Sequence, residues 1–145
     1  MTPIDKFNMW NRKVFTLGKH NNNPFNIRWS NANKWEGQSH SYKGFVYFHS
    51  IEYGIRAAIC LIRNYLRINV NTPRKIIERF APPSENDTQA YLFYISGSAL
   101  DLDKEIKFGS IEFYTLLQLM CKYESDCKIT SEVINYIINQ FKIMK

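Results

Sequence analysis

Cysteine is scarce: Cys60, Cys121 and Cys127 are the only three in a chain of 145 residues. Three thiols do not build a disulfide framework, and no CxxC pair or His/Cys cluster has zinc-ligand spacing. Free thiols are therefore expected, with Cys60 and Cys121 on apolar helix faces, and no metal or other cofactor. His20, His40 and His49 stand alone and read as structural. No stretch approaches the roughly 20 apolar residues of a membrane span. The opening "MTPIDKFNMW" lacks a basic region followed by an apolar stretch, so no signal peptide is visible. The expectation is synthesis in the cytoplasm, with any export using another route. Repeats, low-complexity tracts and linkers are absent as well.

What remains is an ordinary globular balance, 45% hydrophobic and 22% charged, and its length predicts a single domain over residues 1–145 with one core. The net charge of +6 and pI near 9.2 favour a polyanionic partner: nucleic acid, an acidic membrane surface or an anionic cell-wall polymer. The basic residues are dispersed, with no arm, no clustered basic helix face and no RNP-type strand, so nucleic acid is not expected. Nine Tyr, ten Phe and three Trp exceed the usual share and supply both core filling and stacking surface.

Residues 1–20 are ambiguous between a short helix and a coil that packs Phe7, Trp10 and Phe15. "FNIRWS", "KWEGQS" and "GFVYFHS" read as three short strands separated by "NAN" and "HSYK", a small antiparallel meander. At Ser50 the period changes. Ile51, Ile55, Ala58, Ile59, Ile62 and Leu66 predict a helix to about Ile68, with Ser50 as N-cap and Glu52 pairing with Arg56. Thr72-Pro73 starts a short second helix, Asp87 or Asn86 caps a third, and Ser110 opens a fourth. Val133, Ile134, Ile137, Ile138 and Phe141 stripe a fifth, while "SGSALDLDKEIKFG" is a loop. The fold class expected is α+β: a β-meander against about five helices.

Within "SIEFYTLLQLMCKYES", Glu124 lies four residues after Met120, seven after Leu117 and eleven after Phe113, on the apolar stripe. It also sits at the helix C-terminus, where the dipole disfavours a negative charge. Both effects raise a carboxylate pKa, which is what a general acid at neutral pH requires. The competing reading is a Glu turned to solvent as the helix frays. "NNNPFNIRWSNANKW", residues 21–35, raises a similar choice. Its amides either satisfy a turn and accept left-handed geometry, or sit beside aromatic rings to recognise something polar and uncharged, such as a sugar.

A resemblance bears on both choices. "LLQLMCKYES" resembles the catalytic helix of the lysozyme superfamily, especially soluble lytic transglycosylases and flagellar-type glucosaminidases, whose helices end in Glu-Ser with the Glu as general acid. "NNNPFNIRWS…KWEGQ", "FVYFHSIEYGI" and "ERFAPPSENDTQAY" resemble the segments that follow that helix in the glucosaminidases. Here they precede it, the order of a circular permutation, which is compatible with domain termini lying close together. Residues 21–125 also resemble small phage and prophage lysozyme-like proteins through "NNNPFNIR", "EYGIRAA" and "APPSENDTQAY". Many of those carry His-Glu-Asn-Gly where this chain has Tyr123-Glu124-Ser125-Asp126; the acid is kept and its neighbours differ.

The resemblance implies cleavage of the β-1,4 glycosidic bond of peptidoglycan, with Glu124 as the acid. It makes Asn22, Asn23 and Asn26 candidates for sugar hydroxyls and N-acetyl groups, with Trp29 or Trp35 as a face for a pyranose ring. Tyr91 matches a tyrosine that lines the family's cleft. For a second carboxylate the candidates are Glu36, on the expected sheet; Glu85, which also suits a cap cluster with Asn86 and Asp87; and Glu52, which also suits a helix first turn. The implied partners are peptidoglycan glycan strands and phage virion components, and the implied place of action is the bacterial cell wall. A lysozyme-like fold kept as a non-catalytic glycan-binding or structural virion protein is the competing expectation.

Overall fold

Thr2-Pro3-Ile4-Asp5 has the form of a capping box, and it works as one. In the computed structural model, which describes residues 1–98 and 100–145, the Thr2 hydroxyl accepts from the Asp5 amide while the Asp5 carboxylate accepts from the Thr2 amide. This opens α1 (Pro3–Trp10), followed by a single turn, α2 (Leu17–His20). The ambiguous N-terminus is thus helical, and Phe7 is buried in the core while Phe15 stays exposed.

The expected three-strand meander is instead a two-stranded antiparallel hairpin, β1 (Gln38–Tyr42) and β2 (Phe45–Phe48). Register runs His40 to Tyr47, Ser41 to Val46 and Tyr42 to Phe45, with a bulge between Gln38 and His40. Lys43 and Gly44 turn the hairpin, both at positive φ, as a two-residue loop that matches strand twist requires. "HSY" is therefore strand, and the turn comes later than its composition indicated. The "FNIRWS" run contributes one bridge, Arg28 to Phe45. Its remaining pairing is lost because Asn22 and Asn26 adopt left-handed backbone and Asn23 satisfies Ile27 with its side chain.

The five expected helices all form: α3 (Ile51–Arg67), α4 (Pro73–Phe80), α5 (Thr88–Ser96), α6 (Ile111–Ser125) and α7 (Ser131–Gln140). With α1 and α2 there are seven among the described residues, not about five. The Thr72, Asp87, Ser110 and Thr130 side chains accept the N-terminal amide hydrogen bonds of their helices. Ser50 is at the N-cap of α3 without such a bond. Of the expected loop "SGSALDLDKEIKFG", Ser96 still belongs to α5, and Ala99 lies outside the described residues.

The core forms where α3 and α6 both pack on α7, with Ile55, Ile59 and Ile62 of α3 and Val133, Ile134 and Ile137 of α7 buried in one cluster. Each such side chain contributes about 1.5–3 kcal/mol on burial. Cys60, Cys121 and Cys127 are all buried free thiols. Burial pushes the Cys127 thiol up to about 11, so it stays protonated and inert at neutral pH. No described helix is long and apolar enough to cross a membrane.

Candidate functional site

The apolar stripe of α6 is buried from Phe113 through Leu116, Leu117, Met120 and Cys121. The helix then ends abruptly, because Asp126 takes left-handed geometry at φ 55° and ion-pairs back to Lys122. Glu124 is on the last turn, partly buried, where the stripe meets a cleft of about 470 Å³.

Two neighbours hold that turn. Asn26 donates its amide to the Glu124 carbonyl at 2.8 Å and to the carboxylate Oε1 at 3.3 Å, a lock across 98 positions of sequence. Thr16 donates its hydroxyl to the Ser125 carbonyl at 2.8 Å. The approach of α2 depends on Gly18, since a Cβ there would lie 1.9 Å from Ser125 Oγ and 2.9 Å from the Asn23 carbonyl. The Tyr91 hydroxyl, buried and lacking a well-aligned hydrogen bond, lies against the carboxylate. Its ring stacks on Tyr123 at 3.9 Å between centroids.

These surroundings set the acidity of Glu124. Burial raises its pKa above the ordinary glutamate value, and the contacts from Tyr91 and Asn26 and the positive field of Arg28 only partly oppose it. The Tyr91 hydroxyl is in turn held well above its usual range, chiefly by burial and then by the Glu124 charge. The helix end thus presents a carboxyl group that holds its proton to higher pH than an ordinary glutamate, hydrogen-bonded and facing a cleft.

Of the residues singled out from sequence, Asn26, Trp29, Trp35, Glu85 and Glu124 line this cleft. Tyr91 lies behind the acid, in the core. Asn22 and Asn23 are elsewhere. Asn23 is fully buried with its amide on the Ile27 and Val46 carbonyls, and Asn22 donates to the Phe48 carbonyl at 3.0 Å. Their amides serve the turn and the hairpin, not an exposed surface. Glu36 and Glu52 are not on the cleft walls. Glu36 is exposed and pairs with Arg56 at 3.1 Å, taking the partner expected for Glu52. Glu85 pairs with Arg28 at 3.1 Å.

Among the cleft residues that escaped the reading of the sequence are Arg28, Arg79 and Tyr65. Arg28 had a signal, since in "NIRW" it alternates away from the buried Ile27. Its guanidinium also lies over the Phe45 ring, 4.8 Å from the centroid. Tyr65 and Arg79 lie near helix ends, where periodicity carries little information about a cleft. Among the described residues no group of three or more His, Cys, Asp or Glu could hold a metal ion.

No family model matches the chain. Over 84 residues it is 33% identical to Protein P5 of Pseudoalteromonas phage PM2, a match covering 54% of this chain and 52% of that protein. The matched stretch thus spans about half the length of this curated relative. The chain is similar to a bacteriophage protein.

Proposed function

We propose that the chain is a peptidoglycan-cleaving glycosidase of lysozyme-like fold with Glu124 as its general acid. The observation that carries this reading is a partly buried Glu124 with raised pKa, oriented by Asn26 and facing a cleft walled by Trp29 and Trp35. Glu124 donates its proton to the leaving glycosidic oxygen as an oxocarbenium-like state develops on the neighbouring sugar. The tryptophans offer apolar faces to pyranose rings beside the acid.

Among the carboxylates considered for the second role, only Glu85 lines the cleft, and its charge is engaged by Arg28. This favours one-acid chemistry, in which the 6-hydroxyl of the sugar attacks the anomeric carbon, gives its proton to the Glu124 carboxylate left by the first step and leaves an anhydro end, over an inverting or retaining pair of carboxylates. The engaged Glu85 and the similarity to a phage protein also support a second reading: a virion protein that binds glycan without cutting it.

Digestion of purified peptidoglycan by the wild type and by Glu124→Gln separates the two. The expected outcome is release of muropeptides by the wild type and a loss of at least about a hundredfold in the variant, the usual scale for removing a general acid. Mass analysis of the product ends reads anhydro against reducing sugar. Sacculus binding without release by either protein would overturn the enzymatic reading and support the second.

A further inference from the structure

A second groove of about 360 Å³ lies where the C-terminal half of α3 meets residues 105–108. Four cations line it, Arg63, Arg67, Lys107 and Lys145, against one carboxylate side chain, Glu105. Among the described residues none of the four is ion-paired to Asp or Glu. Arg67 donates to the Met144 and Lys145 carbonyls, which ties that segment to the groove rim.

Two exposed aliphatic side chains adjoin these cations in the chain. Ile68, next to Arg67, is 57% exposed, and Met144, next to Lys145, is 73% exposed. Exposed aliphatic side chains among unpaired basic residues are the composition of a surface that lies on anionic lipid: the aliphatics enter the headgroup boundary and the cations meet the headgroups. Base-reading and single-strand binding of nucleic acid add base-edge contacts or stacking aromatics to the cations. The one ring here, Phe108, is spent on Phe113, with centroids 4.9 Å apart.

The groove's position fits this use. Leu61 and Tyr65 of α3 line the Glu124 cleft, whereas Arg63, Leu66 and Arg67 line the second groove. At about 100° per residue these two sets occupy opposite faces of one helix. We infer that this basic face, with its adjoining exposed aliphatics, docks the protein on an anionic lipid surface, with the Glu124 cleft turned away from it. The inference goes beyond the glycosidase reading and stands independently of it.

The test is co-sedimentation of the full chain with vesicles of phosphatidylglycerol and phosphatidylcholine, and with vesicles of phosphatidylcholine alone. Binding is expected to the anionic vesicles only, weakening as sodium chloride rises. Each basic side chain removed from such a surface costs about fivefold in affinity, so Arg63→Gln with Arg67→Gln should bind more than tenfold more weakly. Ile68→Asn should also weaken binding, and Glu124→Gln should bind as wild type does. Circular dichroism of each variant separates loss of the face from loss of the fold. Absence of binding to anionic vesicles, or binding that folded Arg63/Arg67 and Ile68 variants retain in full, would overturn the inference. So would tighter retention on duplex DNA lost in the same variants.

Discussion

Glu124 binds its proton more tightly in the folded chain than in the unfolded one, because burial penalises its charged form. The sign of the resulting linkage is fixed. Below the unfolded pKa both states hold the proton and the group is neutral for stability. As pH rises from there through the folded pKa, the unfolded chain ionises first and folding becomes less favourable. At neutral pH the acid is therefore a cost to the fold. Glu124→Gln should unfold at a higher temperature relative to wild type at about pH 7 than at about pH 4, a difference that thermal unfolding at the two pH values measures. A variant that loses ground at neutral pH would mean that the carboxylate's hydrogen bond from Asn26 and the field of Arg28 outweigh its burial. The sequence made this residue legible through its spacing from Phe113. It did not reveal the Asn26 lock, which depends on a left-handed residue 98 positions away.

The same blindness operates between elements. Helices were readable because their signals are local: the Ile55, Ile59, Ile62 stripe, the Thr72-Pro73 start and the Ser110 cap each lie within a turn or two. The hairpin was harder, since β1 is polar and largely exposed and offers no alternating apolar pattern. The "FNIRWS" run did alternate, yet it forms one bridge because Asn23 does the work of a strand partner. Its Oδ1 accepts from the Ile27 amide at 2.9 Å, and its Nδ2 donates to the Ile27 and Val46 carbonyls at 3.0 and 2.9 Å. All three bonds are buried or nearly so. Asn23→Ala leaves the buried Ile27 amide and the Val46 carbonyl short of partners, while the Ile27 carbonyl keeps the Val46 amide at 3.0 Å; a typical unsatisfied group costs about 1–3 kcal/mol. A loss of at least about 2 kcal/mol in urea unfolding is expected. A loss near zero would mean that the hairpin packs against the turn without this side chain.

At the scale of the whole molecule, the cleft is where three distant segments meet: Arg28 from the N-terminal turn region, Glu85 from the loop between α4 and α5, and Glu124 from the end of α6. Arg28 ties them together electrostatically. It pairs with Glu85, and its positive field lowers the pKa that burial has raised at Glu124. Both members of the pair are more than 40% exposed, so the bond itself contributes little to stability. Its consequence lies in the acid. Under the glycosidase reading the protonated form of Glu124 is the active one, so the rate falls as pH rises through its pKa. Glu85→Gln removes a negative charge that offsets Arg28, leaving the guanidinium field on Glu124 less compensated. The alkaline limb of the pH–rate profile should then move to lower pH while the plateau rate survives. Arg28→Gln should move the limb the other way. If Glu85 instead supplies the second carboxylate, its loss costs about a hundredfold or more at every pH, with no plateau left to shift. Peptidoglycan digestion by the two variants across the pH range therefore decides whether Glu85 tunes the acid through Arg28 or acts on the sugar itself.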